Sequence, residues 1–210
     1  MINAEDNKKE FIKLLSSIKR EGIDKLLEWL ETTDFFYAPA SSKYHLNVKY
    51  GLCQHSLNVY NNMMKLKEQF CPEMPDETVI ISALLHDLAK VNFYEEYAQN
   101  VKEYSPRGSK RDELGNFEWV AKKAYRVKSL ADKEFVCGTH GVNSYILISQ
   151  FIKLTEAERA AIINHHSGLD DGMANKDIGE VFNRYPAATL LHMADYIATY
   201  INENPYMIDE

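Results

Sequence analysis

Apolar residues recur at steps of three and four along most of this chain, the spacing of one face of an α-helix. The pattern predicts helices over about residues 8–20, 23–30, 51–66, 79–90, 140–152, 156–166 and 186–198. Gly22 is placed as a C-terminal cap, Thr155 begins a capping box, and Pro186 suits a first helical turn. The sequence therefore predicts an all-α fold.

One segment, from about 91 to 135, has no helical stripe. It contains four tyrosines, and alternation over 117–121 and 124–128 predicts a small irregular or β-hairpin excursion. Between Val101 and Lys133 there are nine Lys or Arg against five Asp or Glu. This excess is either a solvated face or a basic, aromatic flap over an anionic substrate. In the second case Arg107, Lys110 and Arg111 are candidate substrate-binding residues.

Length and composition predict one globular domain. The chain has 210 residues, is 45% hydrophobic, and contains no apolar run near the roughly 18–20 residues that span a membrane. We expect a helical extension over 1–50 and a core over 51–202. Three cysteines without CxxC spacing and a charged start favour a cytoplasmic protein with reduced thiols. The net charge of −7 argues against extensive nucleic-acid binding, and the oligomeric state, a homodimer included, stays open.

The stretch most informative about chemistry is His86-Asp87. It follows residues 79–85, which are apolar almost all round and so predict a helix buried on every side. Burying an imidazole and a carboxylate costs several kcal/mol unless each is hydrogen-bonded, paired or bound to a cation. The pair is therefore either a structural ion pair or part of a metal site. Lys90, four residues after His86, projects from the same side if the helix continues.

Further histidines and an aspartate fall on inward helix faces. They are His55, His140, His165, His166 and Asp195. Each alone has an ordinary structural explanation, but so many buried imidazoles and carboxylates in one core require a cation. The donors suit Fe, Mn, Co, Ni or Zn, and the absence of cysteine from the set argues against a structural zinc site. His192, one turn before Asp195, is assigned to packing.

The ordered set from His55 to Asp195 resembles the HD-domain metal-dependent phosphohydrolase superfamily over about residues 51–202. The resemblance implies a helical bundle with one or two divalent transition-metal ions. In the two-metal subgroup it implies that Asp87 is shared by both ions. It assigns the first ion to His55, His86 and Asp195, and the second to His140 with one or both of His165 and His166. Lys90 would face the substrate phosphate.

The Leu-Leu-His-x-x-Asp run at 190–195 is most similar to HD domains attached to certain 3′ to 5′ exoribonucleases. Those proteins carry an OB-type domain for which these residues leave no room, and the Gly-Tyr-Pro element of cyclic-di-GMP phosphodiesterases is missing. The resemblance implies hydrolysis of a phosphoester or phosphodiester of a nucleotide or short oligonucleotide by a metal-bound hydroxide. Asp170 or Asp171 would help protonate the leaving group. The alternatives are a non-catalytic metal- or nucleotide-binding module and a di-iron oxygenase.

Overall fold

The computed structural model of the chain describes residues 2–133, 138–166 and 178–204. Its helices are α1 Ala4–Ser16, α2 Ile23–Glu31, α3 Gly51–Phe70, α4 Asp76–Leu85, α5 His140–Ser149, α6 Glu156–Asn164, α7 Ile178–Arg184 and α8 Pro186–Ile197. A 3₁₀ turn, Leu88–Lys90, follows α4, and a π turn, Ala198–Asn202, follows α8. All the helices expected from the apolar periodicity are present, and α7 is an addition.

The helix ends largely follow the local sequence signals. Thr155 and Glu158 form the expected capping box, and Pro186 is the first residue of α8. The expectation for Gly22 is wrong. Helix α1 ends earlier, at Ser16, and Gly22 instead begins α2 with a φ of 93°, a left-handed conformation that glycine adopts without strain.

The helices pack around α3 and α4. Every residue from Thr78 to Leu85 is buried, as expected for a helix that is apolar on all sides. One apolar cluster joins these helices to Phe11 of α1 and Ile148 of α5, and a second joins them to Leu191 of α8. In the part of the chain that the structure describes, no helix is both long and apolar enough to cross a membrane.

The segment between α4 and α5 differs from the expectation. It forms a three-stranded antiparallel sheet of β1 Tyr94–Tyr104, β2 Lys110–Asp112 and β3 Gly115–Val127, in the order β1-β3-β2. The two stretches expected to pair with each other, 117–121 and 124–128, lie along one strand, β3, which pairs with β1. The chain turns at Pro106 and Gly108 and again just before Gly115, whose φ is 131°. Both faces of this sheet are largely exposed, so its apolar alternation is weak.

A buried ion pair connects the start of the chain to α6. Arg20 Nη1 and Nη2 donate to the two oxygens of Glu158 at 2.8 and 3.1 Å, and Glu158 is fully buried. Arg20 Nε also donates to Glu77 at 2.9 Å. Bidentate charge-assisted pairs of this kind fix geometry as well as supplying energy.

Helices α5 and α6 meet at a glycine. A Cβ atom at Gly141 would lie 2.6 Å from the carbonyl oxygen of Ile163 and 2.7 Å from that of Ile162. Both oxygens belong to the last turn of α6, so a side chain there requires the two helices to separate.

We therefore expect Gly141→Ala to lower the free energy of unfolding by about 1–3 kcal/mol, the usual cost of overpacking. Gly179→Ala is the matched control, because a Cβ there meets nothing within 4 Å and α7 is helical. It should stabilise the protein by about 0.4–1 kcal/mol through the unfolded chain. Urea denaturation measures both values, and equal effects would show that the contact at Gly141 is not tight.

Candidate metal centre

The structure brings together every residue that the sequence suggested as a metal ligand. His55 lies on the inward face of α3 and Asp195 on that of α8, while His140 is the first residue of α5. The others lie at helix ends: His86 and His165 are the C-terminal caps of α4 and α6, and Asp87 and His166 follow them. His55, His86, Asp87, His165 and Asp195 are almost completely buried.

Helix α4 does not continue as far as expected. It ends at Leu85, and Asp87 begins the 3₁₀ turn that contains Lys90. Lys90 therefore lies against Asp87, with Nζ 2.7 Å from Oδ2, and also donates to the carbonyl oxygen of Ala40 at 2.8 Å. One of its three N–H groups is left for another acceptor.

Asp87 lies between two sets of imidazoles. Its Oδ2 is 3.3 Å from His86 Nε2 and 3.6 Å from His55 Nε2. Its Oδ1 is 3.6 Å from Nε2 of both His140 and His165. Apart from the ion pair of Oδ2 with Lys90, neither oxygen has a partner in hydrogen-bond geometry. A buried carboxylate in this condition is costly, so its environment is suited to cations.

The two sets are each compact. In the first, His55 Nε2 is 3.3 Å from His86 Nε2 and 3.2 Å from Asp195 Oδ1. In the second, His140 and His165 approach to 2.9 Å between their Nε2 atoms. His166 forms a close group with these two, and its Nε2 is also 2.9 Å from Asp195 Oδ2.

The hydrogen bonds of Nδ1 in His86 and His165 show that Nε2 is the nitrogen whose lone pair faces the centre. His86 Nδ1 donates to the carbonyl oxygen of Ala83 at 2.8 Å, and His165 Nδ1 donates to that of Ile162 at 2.6 Å. A carbonyl only accepts, so Nδ1 carries the proton in each ring and Nε2 has a free lone pair in the neutral form. This arrangement is usual in histidines that bind metals.

The spacing also fits bound ions. Two ligand atoms that are each about 2.1 Å from one ion lie roughly 3.0–3.4 Å apart at tetrahedral or octahedral angles. The distances among the ring nitrogens and carboxylate oxygens of each set, counting Asp87 with both sets, are 2.9 to 3.6 Å and so are close to that range. The donors are nitrogen and oxygen only, which suits Fe, Mn, Co, Ni or Zn.

Burial and neighbouring charge set the protonation of the centre. Burial lowers the pKa of His140 to about 3 and that of His165 to about 4, so both rings are neutral at pH 7. Burial alone would raise the pKa of Asp87, but Lys90 and His86 hold it well below its ordinary value. For His55, burial lowers the pKa, but Glu203 and Asp195 outweigh burial and raise it to about 10. Without a metal ion, a proton on His55 therefore supplies the positive charge between these carboxylates.

The predicted substrate-binding cations of the excursion lie elsewhere. Arg107, Lys110 and Arg111 lie at or next to the turn that joins β1 to β2. Tyr94, whose hydroxyl donates to the same Ala40 carbonyl as Lys90, is at the opposite end of β1, about 30 Å away along the strand. The structure does not bring these three residues to the centre. Asp170 and Asp171 lie outside the described residues.

Two residues near the centre were not expected from sequence. Glu203 contacts His55, and the ring of His45 packs at a tilt against the ring of His55, with centroids 4.6 Å apart. His45, His55 and Glu203 form a further group with metal-ligand spacing. His45 lies in an irregular loop and Glu203 lies beyond the last helical stripe, so periodicity gives no signal for either.

His192 packs on Phe182 and Tyr196, as expected, and donates to the His165 carbonyl at 2.6 Å.

Comparison with known proteins is consistent with this centre. The family model for the HD domain matches residues 52–200, about seven tenths of the chain, and that range includes all seven candidate ligands. A search of the curated proteins found no significant match, and a search of the solved structures found none either. The family match covers both the helical core and the residues around Asp87, and on this basis the chain belongs to the HD domain family.

Proposed function

We propose that this protein is a metal-dependent phosphohydrolase that cleaves a phosphoester or phosphodiester bond of a nucleotide or short oligonucleotide. Membership of the HD domain family indicates metal-dependent phosphohydrolase activity in general. The observation that carries the proposal for this chain is Asp87, a buried carboxylate whose two oxygens face separate sets of imidazoles. That geometry suits a carboxylate shared by two ions.

In this proposal His55, His86 and Asp195 hold one ion, and His140 and His165 hold the other, with His166 beside both sets. When bound, such ions polarise phosphoryl oxygens and make water a nucleophile near neutral pH. The chain's own contribution is a set of buried imidazoles, two of which, His86 and His165, are oriented by carbonyl groups of the preceding helical turns. Because these side chains are already ordered by packing, binding of the ions requires little rearrangement.

Lys90 is the proposed phosphate-binding residue. Although burial lowers its pKa, Asp87 more than compensates and raises it, so the ammonium stays charged. Two of its N–H groups are used by Asp87 and by the Ala40 carbonyl. The third is available to a phosphoryl oxygen, and charge-assisted hydrogen bonds to phosphate are among the stronger polar contacts.

A cleft beside the loop that contains His45 is the proposed site for the part of the substrate that lies away from the ions, since none of its lining residues is a proposed metal ligand. It has a volume of about 740 Å³ and lies between residues 42–48 of that loop and the sheet. Tyr97, Lys43 and Lys122 are among its lining residues. An aromatic ring can stack on a base, and lysines attract phosphates. Cross-strand ion pairs of Lys122 with Glu103 and Arg126 with Glu95 reduce the positive charge there, which favours a short substrate over a long polyanion.

Asp87→Asn tests the proposed centre. We expect the wild-type protein to hydrolyse bis(p-nitrophenyl) phosphate and nucleotides with Mn²⁺ or Fe²⁺ present. Loss of the shared negative charge should reduce the rate by at least about 100-fold and lower the metal content. Steady-state kinetics and elemental analysis measure the two effects. His192→Ala is the control, because its ring packs beside the centre without belonging to either set, and equal losses in both variants would contradict the assignment.

Lys90→Met separates phosphate binding from metal binding. The ammonium contributes a charge-assisted hydrogen bond worth about 1.5–3 kcal/mol, so its loss should raise KM by roughly 10- to 100-fold. The metal content should stay at the wild-type level, since removal of a cation beside Asp87 does not remove a ligand. Titration of substrate at saturating Mn²⁺ measures KM. An unchanged KM would show that Lys90 serves only to neutralise Asp87.

A further inference from the structure

We infer that Glu203 is a positioning residue that holds the ring of His55 and directs its Nε2 atom into the metal centre. The inference rests on the proposed function, because it requires His55 to be a metal ligand. It concerns a residue three positions beyond the range matched by the family model. Both carboxylate oxygens of Glu203 lie 3.0 Å from His55 Nδ1, and Glu203 is only 4% exposed.

The position of His55 in its helix explains why it needs such a partner. His86 and His165 lie at the C-terminal ends of helices, where carbonyl groups of the last turn lack helical partners and can accept from Nδ1. His55 is the fifth residue of α3, where the carbonyl groups are used by the helix itself. Its Nδ1–H must therefore donate to a group from another part of the chain, and that group is Glu203.

Helix α8 and the segment that follows it contact both nitrogens of the His55 ring. Asp195 Oδ1 is 3.2 Å from His55 Nε2, and Glu203, eight residues later, contacts Nδ1. Between them α8 continues into the π turn Ala198–Asn202, which the Glu203 N–H closes by donating to the Ala198 carbonyl at 2.9 Å. Turns of this kind are rare and occur frequently at functional sites.

Glu203 is in turn fixed to α3. Asn58 Nδ2 donates to Glu203 Oε1 at 2.8 Å, and the preceding residue, Asn202, accepts from Asn62 at 2.8 Å. Asn58 accepts from Gln54, and Gln54 accepts from Asn7 of α1, each at 2.8 Å. A continuous line of side-chain amides thus runs from α1 to the carboxylate. Because Glu203 and His55 are both tied to α3, the ring has little freedom to rotate.

A carboxylate on the outer nitrogen fixes the tautomer of a metal-binding histidine and makes the ring a stronger ligand. Loss of such partners typically lowers metal affinity by about 10- to 100-fold. Only the ion bound by His55 should be affected, because Glu203 makes no contact with His140 or His165 among those described.

The test measures Co²⁺ affinity and the Co²⁺ absorption spectrum for the full chain and three variants. Glu203→Ala should weaken one of two bound ions by about 10- to 100-fold and change its spectrum, while the other ion keeps its affinity. Glu203→Gln keeps an acceptor oxygen of similar size, so it should retain most of the affinity. If Glu203→Ala does not fold, the spectrum of Glu203→Gln decides, since an altered Nδ1 partner changes the ligand field of that ion.

Glu158→Gln is the control, because Glu158 is another buried carboxylate, paired with Arg20 away from the centre. It should lower the melting temperature without any change in Co²⁺ affinity. Wild-type affinity and spectrum in both Glu203 variants would overturn the inference alone. Equal weakening of both ions would also overturn it, since that result indicates a general loss of structure. A wild-type chain that binds no Co²⁺ would overturn the proposed function together with the inference.

Discussion

The structure depends on how a buried negative charge, the carboxylate of Asp87, is compensated. It lies in the interior with Lys90 against one oxygen and four imidazole nitrogens 3.3 to 3.6 Å away. Without bound ions, Lys90 and a protonated His55 face three buried carboxylates, those of Asp87, Asp195 and Glu203. Divalent cations would offset the remaining negative charge and would also accept the imidazole lone pairs. This balance of charge explains why polar side chains lie among otherwise apolar helices.

Helix ends supply most of the geometry of this centre. Helices α4 and α6 each end one residue before a candidate ligand, so His86 and His165 are oriented by carbonyl groups that lack helical partners. Gly141 allows α5 to approach α6 closely enough for His140 and His165 to meet. The apolar clusters hold the helices at these positions. Stability and site geometry therefore have a common origin in how the helices pack.

The helices of the core and the seven candidate ligands were predictable from sequence, because buried helices have a clear periodicity and histidines on inward faces are conspicuous. The sheet was harder, since both its faces are exposed and β1 and β3 show little alternation of apolar residues. The position of the basic residues of the excursion was not predictable, because the sequence does not show that Arg107 and Lys110 are remote from Asp87. Glu203 could not be found by periodicity, because the π turn before it breaks the helical repeat.

The most direct test of the metal centre is anomalous X-ray scattering from crystals of the protein soaked in Mn²⁺. We expect two peaks on either side of Asp87, roughly 3.5–4 Å apart, one beside His55 and His86 and the other beside His140 and His165. Each peak should lie within bonding distance of one Asp87 oxygen. The absence of any peak at Asp87 from Mn²⁺-saturated crystals would contradict the account.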